Sequence, residues 1–236
     1  MEHSHPEPME HSHPDLSAMR ISYEQSELVE ELLHKNPLSQ FQSWLHDAVQ
    51  IGIDRLPEPN AMVLSTCDSN NQVHSRTVLL KGLSPTGLVF YSNYASQKAQ
   101  DLLQNAQVSA LFPWYPLQRQ VIVTGTVSKI SREQSQNYFA SRPYKSQLGA
   151  HVSEQSSIIA SRELLENELL ELTKIYPEGS QVPLPENWGG YLIKVSEVEF
   201  WQGRRSRLHD RLKFVRKEEG GLLDQDAAWQ VIRLAP

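Results

Sequence analysis

From residue 61 to residue 130 the chain passes through one β-like run after another, joined more often by short turns than by helices. That order constrains the fold more than any other feature. Residues 61–67 lead through Asp68-Ser69-Asn70-Asn71 into residues 73–81, a hairpin with a longer loop. Residues 88–92 follow a Pro85-Thr86-Gly87 turn, and residues 108–112 and 120–130 are two further runs, the second rich in Val, Ile and Thr. The pattern returns at residues 190–202, 207–215 and 228–234. Hairpin succession favours antiparallel pairing, because parallel neighbours need long crossovers. The expected fold is mainly β with peripheral helices (α+β), about seven strands with three to five helices, and not a parallel doubly wound sheet.

The helices carry their own start signals. Asn36-Pro37 caps a segment whose Leu38, Phe41, Leu45 and Ala48 recur at helical spacing. Residues 96–104 form a second helix. Ser131-Arg132-Glu133-Gln134 is a capping box opening a third, which ends near Arg142-Pro143. Residues 158–175 form a fourth, carrying Leu164, Leu165, Leu169 and Leu172. Residues 1–18 differ: Glu-His-Ser-His-Pro occurs twice, and almost nothing apolar is present to offset the entropy of ordering. They read as a disordered, His-rich tail before one domain over residues 19–236. His3, His5, His11 and His13 could chelate a metal, but no resident metal site is expected.

Net charge is −6, which argues against a general nucleic-acid surface, so any anion must be held by a local cluster of cations. No run approaches the roughly 18 apolar residues of a membrane helix. The single Cys67 rules out an internal disulfide and fits a reducing cytoplasm. Dinucleotide, P-loop and nucleophile-elbow glycine motifs are missing. His151 and His209 have no nucleophile placed beside them, and Trp114, Trp188 and Trp201 read as core or interface residues.

Three cationic constellations remain. In residues 198–211 a strand over 207–211 would put Arg207, His209 and Arg211 on one face, where they repel unless an anion lies among them. In Arg76-Thr77-Val78-Leu79-Leu80-Lys81 strict alternation puts the two cations on opposite faces, so sharing a ligand requires a bend. Tyr138 and Arg142 lie one helical turn apart, with Ser146 just past Pro143. A phosphate at that helix C-terminus would depend on side chains, since the dipole repels it.

Chemistry alone thus reaches a barrel with cationic pockets for a phosphorylated ligand. The run Glu199-Phe200-Trp201-Gln202, four further residues, then Arg207-Leu208-His209-Asp210-Arg211 resembles the signature of the pyridoxamine 5'-phosphate oxidase family. The resemblance covers nearly all of residues 19–236, including Leu111-Phe112-Pro113-Trp114, Arg119-Gln120-Val121, Ser141-Arg142-Pro143 and the closing Arg233-Leu234-Ala235-Pro236. It implies an antiparallel split β-barrel and a homodimer with FMN at the subunit interface. It implies flavin contacts from Arg76, Thr77, Val78, Leu79, Leu80 and Lys81, from Tyr91, Ser92, Gln97 and Lys98, and from Gln120, Gln155, Ser156, Trp201 and Arg211. Lys81, Tyr138, Arg142 and Ser146 would hold the substrate phosphate. Arg207 and His209 would sit over the pyridine ring as the catalytic pair, with Arg20 and Tyr23 closing from the N-terminal segment.

The implied reaction is FMN-dependent oxidation of pyridoxamine or pyridoxine 5'-phosphate by dioxygen, giving pyridoxal 5'-phosphate and hydrogen peroxide, with neither nucleic acid nor membrane as partner. Position 97 departs from the family: Gln97 stands where Arg is frequent, and a neutral amide there implies somewhat weaker FMN affinity. A related barrel acting on a phenazine precursor and a non-catalytic flavin carrier are the competing readings.

Overall fold

The computed structural model describes residues 15–19 and 21–236. Arg20 and the four tail histidines lie outside the described residues, and Leu16–Ala18 form a 3-10 turn capped by Asp15. The strands are β1 Ala61–Cys67, β2 Val73–Leu79, β3 Gly82–Ser84, β4 Gly87–Asn93, β5 Gln107–Trp114, β6 Arg119–Lys129, β7 Trp188–Gln202, β8 Asp210–Arg216 and β9 Trp229–Arg233. The helices are α1 Pro37–Gln50, α2 Gln97–Gln104, α3 Arg132–Ser141, α4 Tyr144–Val152 and α5 Arg162–Ile175.

All strand pairs are antiparallel, in the order β2-β1-β5-β6-β7-β4-β3, with β8 and β9 branching from β7. The two ends of that path, β2 and β3, are neighbours in sequence. The sheet must therefore curl until its ends meet, and the Lys81 amide hydrogen-bonds the Val89 carbonyl at 2.8 Å where they do. β7 holds the curl together. Along one edge it pairs with β6; its other edge is divided, Trp188–Ile193 facing β4 and Glu197–Gln202 facing β8. The changeover coincides with a bulge at Thr124/Gly125, where a Cβ on residue 125 would collide with the Lys194 carbonyl.

The alternation that marks half-buried strands is plain in β1 and β5. Met62, Leu64, Val108, Ala110, Phe112 and Trp114 face inward, and α1 closes over them. Phe41 meets Phe112 edge-on at 5.0 Å, and Trp44 meets Phe200 at 5.2 Å. Each such ring contributes about 1.5–3 kcal/mol by leaving water. A smaller apolar cluster, with Phe139, Leu148, Val182, Leu184 and Trp188 at its centre, lies under α3, α4 and α5.

Four boundaries differ from expectation. The 73–81 run is not one strand: it breaks after Leu79, where the Leu80 amide and carbonyl are both taken by Asn60. Residues 207–209 are not strand either. Ser206 and Arg207 have φ of 56° and 62°, a left-handed turn, and β8 starts only at Asp210. Pro143 ends one helix and caps the next, since Pro is tolerated where no intrahelical N–H is required, so α4 follows at once. The last helix begins at Arg162, four residues later than its apolar pattern suggests.

Candidate active site

Where the curled ends meet lies a cavity of about 1020 Å³. β2 supplies Arg76, Thr77, Val78 and Leu79, and the bend that follows adds Lys81. β4 supplies Tyr91 and Ser92, and the start of α2 supplies Gln97 and Lys98. Tyr138, Arg142 and Ser146 come from the α3–α4 junction, and Gln155 and Ser156 from the loop after α4. The bend after Leu79 is what lets Arg76 and Lys81 face one space in spite of strand alternation. Leu80 does not line the cavity; it is 6% exposed and packs in the core.

Cations crowd this space. Lys98 is buried and donates to Ser92 Oγ at 3.0 Å, Ser96 Oγ at 3.2 Å and Gln155 Oε1 at 3.0 Å. Burial, with the Arg76 charge nearby, lowers its pKa to about 8. Burial also lowers the Arg76 guanidinium, opposed by Asp101. Arg142 packs its guanidinium 4.7 Å over the Trp188 ring, and burial lowers it too, opposed by Tyr138. Its Nη1 is buried and has no hydrogen-bond partner among the described residues, a costly state that an anionic ligand would relieve.

Tyr91, Tyr138 and Trp188 stack: the two tyrosine centroids are 3.8 Å apart at 17°, and Tyr91 and Trp188 are 5.4 Å apart at 10°. Trp188 thus lines the cavity as well as filling the core, a double role its sequence context does not reveal. Ser146 sits in the first turn of α4, not merely beyond the end of α3. The amino end of a helix therefore adds its positive pole to this wall, correcting the expectation that side chains must hold an anion there alone.

The remaining predicted residues form a second group. Gln120, Trp201 and Arg211 face one another across β6, β7 and β8, as one row. Tyr23 lies 5.9 Å edge-on to Trp201, and the His209 ring is 4.6 Å from Trp201. The His209 Nδ1 accepts the Arg204 amide at 3.1 Å, so the ring proton resides on Nε2. Burial and the Arg207 charge lower the His209 pKa against the opposing pull of Asp210, keeping the ring neutral. Arg207 is exposed on its left-handed turn. Arg211 is already paired, donating to Glu199 at 2.7 Å and to the Ala235 carbonyl at 2.9 Å.

Two of the three constellations converge on the cavity, but the third, in residues 198–211, does not join them within one chain. On β7, Gly190 pairs with the cavity residue Tyr91, whereas Trp201 stands eleven residues further on, ~36 Å along the strand at ~3.3 Å per residue. Asn93, Ser153 and Gly149 also line the cavity and carried no sequence signal.

Residues 53–176 match the family described as pyridoxamine 5'-phosphate oxidase, and residues 188–236 match the pyridoxine 5'-phosphate oxidase C-terminal dimerisation region. The chain is 49% identical over 224 residues to a pyridoxine/pyridoxamine 5'-phosphate oxidase of Rhodopirellula baltica, covering 94% of this chain and 97% of that one. It is 48% identical over 223 residues to its counterpart in Streptomyces avermitilis, covering 94% and 96%. Among solved structures, PhzG from Burkholderia lata 383, in complex with tetrahydrophenazine-1-carboxylic acid, superimposes with a TM-score of 0.78 at 24% identity over 89% of this chain and 98% of that one. A pyridoxamine 5'-phosphate oxidase-related, FMN binding protein from Nostoc punctiforme gives 0.64 at 14% identity over 84% and 96%. At such identities these two structures speak for the fold alone, and that fold is the split barrel.

Proposed function

The chain belongs to the pyridoxamine 5'-phosphate oxidase family, and we propose that its cavity is one half of the active site, completed by the Tyr23–Trp201–His209 cluster of a second subunit. The protein is an FMN-dependent oxidoreductase that oxidises pyridoxamine or pyridoxine 5'-phosphate with dioxygen to pyridoxal 5'-phosphate, releasing hydrogen peroxide. It is a homodimer with a C-terminal dimerisation region. When bound, FMN supplies the two-electron acceptor chemistry.

The donor set suits that cofactor and substrate, because the cavity has two separate anion-holding ends. Arg76, Lys98, Ser92, Gln155 and Ser156 form the one we assign to the FMN phosphate. Lys81, Tyr138, Arg142 and Ser146 form the other, assigned to the substrate phosphate, and the unpartnered Arg142 Nη1 is the observation that carries this reading. Thr77, Val78 and Leu79 complete the cavity wall, while Leu80 packs in the core beside it.

Gripping the substrate at its phosphate fixes the distance and angle at which its ring meets the second half-site, which is where orientation lowers the barrier. There, Arg207 supplies positive charge and His209 presents an Nε2–H, so His209 acts as a hydrogen-bond donor and holds its proton at that atom. Gln120, Trp201 and Arg211 form the cofactor-facing row. Gln97 lines the cavity, and its side-chain amide is engaged by the buried Asp101 carboxylate at 2.9 Å. We further assign residues 19–236 to a single oxidase domain preceded by a His-rich tail, and the protein to the cytoplasm. Among the described residues no helix is long and apolar enough to cross a membrane.

The test is aerobic turnover of pyridoxine 5'-phosphate by the purified protein with added FMN. Pyridoxal 5'-phosphate and peroxide should appear in step. Bound FMN without product would point to another substrate on the same barrel.

A further inference from the structure

Asp101 lies on α2, behind the FMN-phosphate end of the cavity, and is 1% exposed. Its Oδ2 accepts from the Thr66 hydroxyl at 2.6 Å and from His74 Nδ1 at 3.1 Å; its Oδ1 accepts from Gln97 Nε2 at 2.9 Å. Burial would raise the carboxyl, but the hydrogen bonds from Thr66, Gln97 and His74 outweigh it and hold the group below its usual range. It is therefore a carboxylate and can only accept, which fixes the direction of every bond it makes. The Thr66 hydroxyl, spent as donor on Asp101, is left to accept from Arg76 Nη1 at 2.6 Å. Arg76 Nη1 also donates to the Leu64 carbonyl at 3.3 Å, and Arg76 Nη2 lies 3.8 Å from the carboxylate itself.

The strand ladder explains the assembly. Leu64 faces Arg76 and Thr66 faces His74 across β1 and β2, so the side chains of Thr66, His74 and Arg76 gather beneath α2. The arrangement is at first sight perverse, because a buried negative charge beside an anion-holding site opposes anion binding. Charge alone would favour its removal. Its geometry does the opposite work: through Thr66 it adds a 2.6 Å bond to a guanidinium whose bond to the Leu64 carbonyl is a longer 3.3 Å, and it ties the first turn of α2, which carries Gln97 and Lys98, to the sheet.

We propose that Asp101 is a positioning residue for the phosphate-holding end of the cofactor cavity, acting through Thr66 on Arg76 and through Gln97 on the start of α2, without touching the ligand. The proposal rests on the assignment of Arg76 and Lys98 to the FMN phosphate. The two can be separated by comparing FMN with riboflavin, which has the same ring system and no phosphate. Dissociation constants for both are measured from flavin fluorescence on titration with apoprotein, for the wild type, Asp101→Asn and Thr66→Val. The second variant removes only the hydroxyl relay and keeps the test available should the first fail to fold. Both variants are expected to weaken FMN binding by about tenfold, the scale of one hydrogen bond to a charged group, while riboflavin affinity stays within about twofold. FMN binding unchanged or tighter would overturn the proposal, since that is the result of charge alone. Equal losses for both ligands would also overturn it, as general damage to the cavity. A wild type that does not distinguish FMN from riboflavin would refute the phosphate assignment itself.

Discussion

Lys98 shares its corner of the cavity with Arg76, and a buried ammonium beside a guanidinium releases its proton near pH 8. In the apoprotein Lys98 is charged below that pH and progressively neutral above it. A phosphate dianion favours the charged form, so above pH 8 binding must take up a proton. The FMN dissociation constant should be flat from about pH 7 to 8 and then rise, approaching tenfold per pH unit. Lys98→Met should abolish the rise, and a constant that stays flat to about pH 9.5 in the wild type would contradict the assignment. The opposite sign holds for the apoprotein's stability: with the folded pKa depressed, charged Lys98 is a cost below pH 8, relieved as pH climbs toward the unfolded value. Arg142 makes a separate prediction. Arg142→Gln should lower kcat/KM roughly ten- to a hundredfold, through lost charged hydrogen bonds, while leaving FMN affinity unchanged. Equal effects on both would merge the two anion-holding ends into one. Arg76, Tyr138 and Arg142 were legible in the sequence because charge at the end of an apolar strand, or at one-turn helical spacing, is a local pattern. Asp101 was not, since its partners Thr66 and His74 reach it only through the β1–β2 register.

At the scale of elements, the turn after β7 decides how the second half-site is built. Gly203 follows the last residue of β7, and a Cβ there would sit 2.8 Å from the Tyr23 ring. The N-terminal segment can close on Trp201 and His209 only because this position is bare. Gly203→Ala should displace Tyr23 and lower kcat/KM roughly ten- to a hundredfold, the scale of a misplacement near 1 Å. Its melting temperature should change little; kinetics equal to the wild type would show that Tyr23 takes no part. The same turn shows where sequence reading stops. Alternation predicted a strand through Arg207 and His209, but Ser206 and Arg207 are left-handed, a state that in non-glycine residues leaves no mark in composition. The break after Leu79 was foreseeable, as the condition for Arg76 and Lys81 to share a ligand. The helix after Pro143 was not, because Pro reads as a stop whether or not another helix begins there.

The whole molecule poses a question of distance. The cavity and the Trp201 row occupy opposite ends of β7, ~36 Å apart along the strand, while the proposed reaction would bring both around one cofactor and substrate. Hairpin succession made the antiparallel barrel readable from sequence, and the signature motif made the chemistry and an interface cofactor readable, but neither showed how far apart on one chain the two groups of residues lie. The proposed two-fold arrangement resolves it: each active site would take the cavity of one subunit and the His209 cluster of the other. The most direct test pairs a subunit defective only in its cavity, Arg142→Gln with Lys98→Met, with one defective only in its cluster, Arg207→Ala with His209→Ala. The two, differently tagged and co-expressed, are purified as the heterodimer and compared with both parent homodimers. One of its two sites would carry every substitution and the other none, so turnover should return to about half that of the wild type from nearly inactive parents. A heterodimer as inactive as its parents would contradict the account, because it would mean that each subunit builds its site alone.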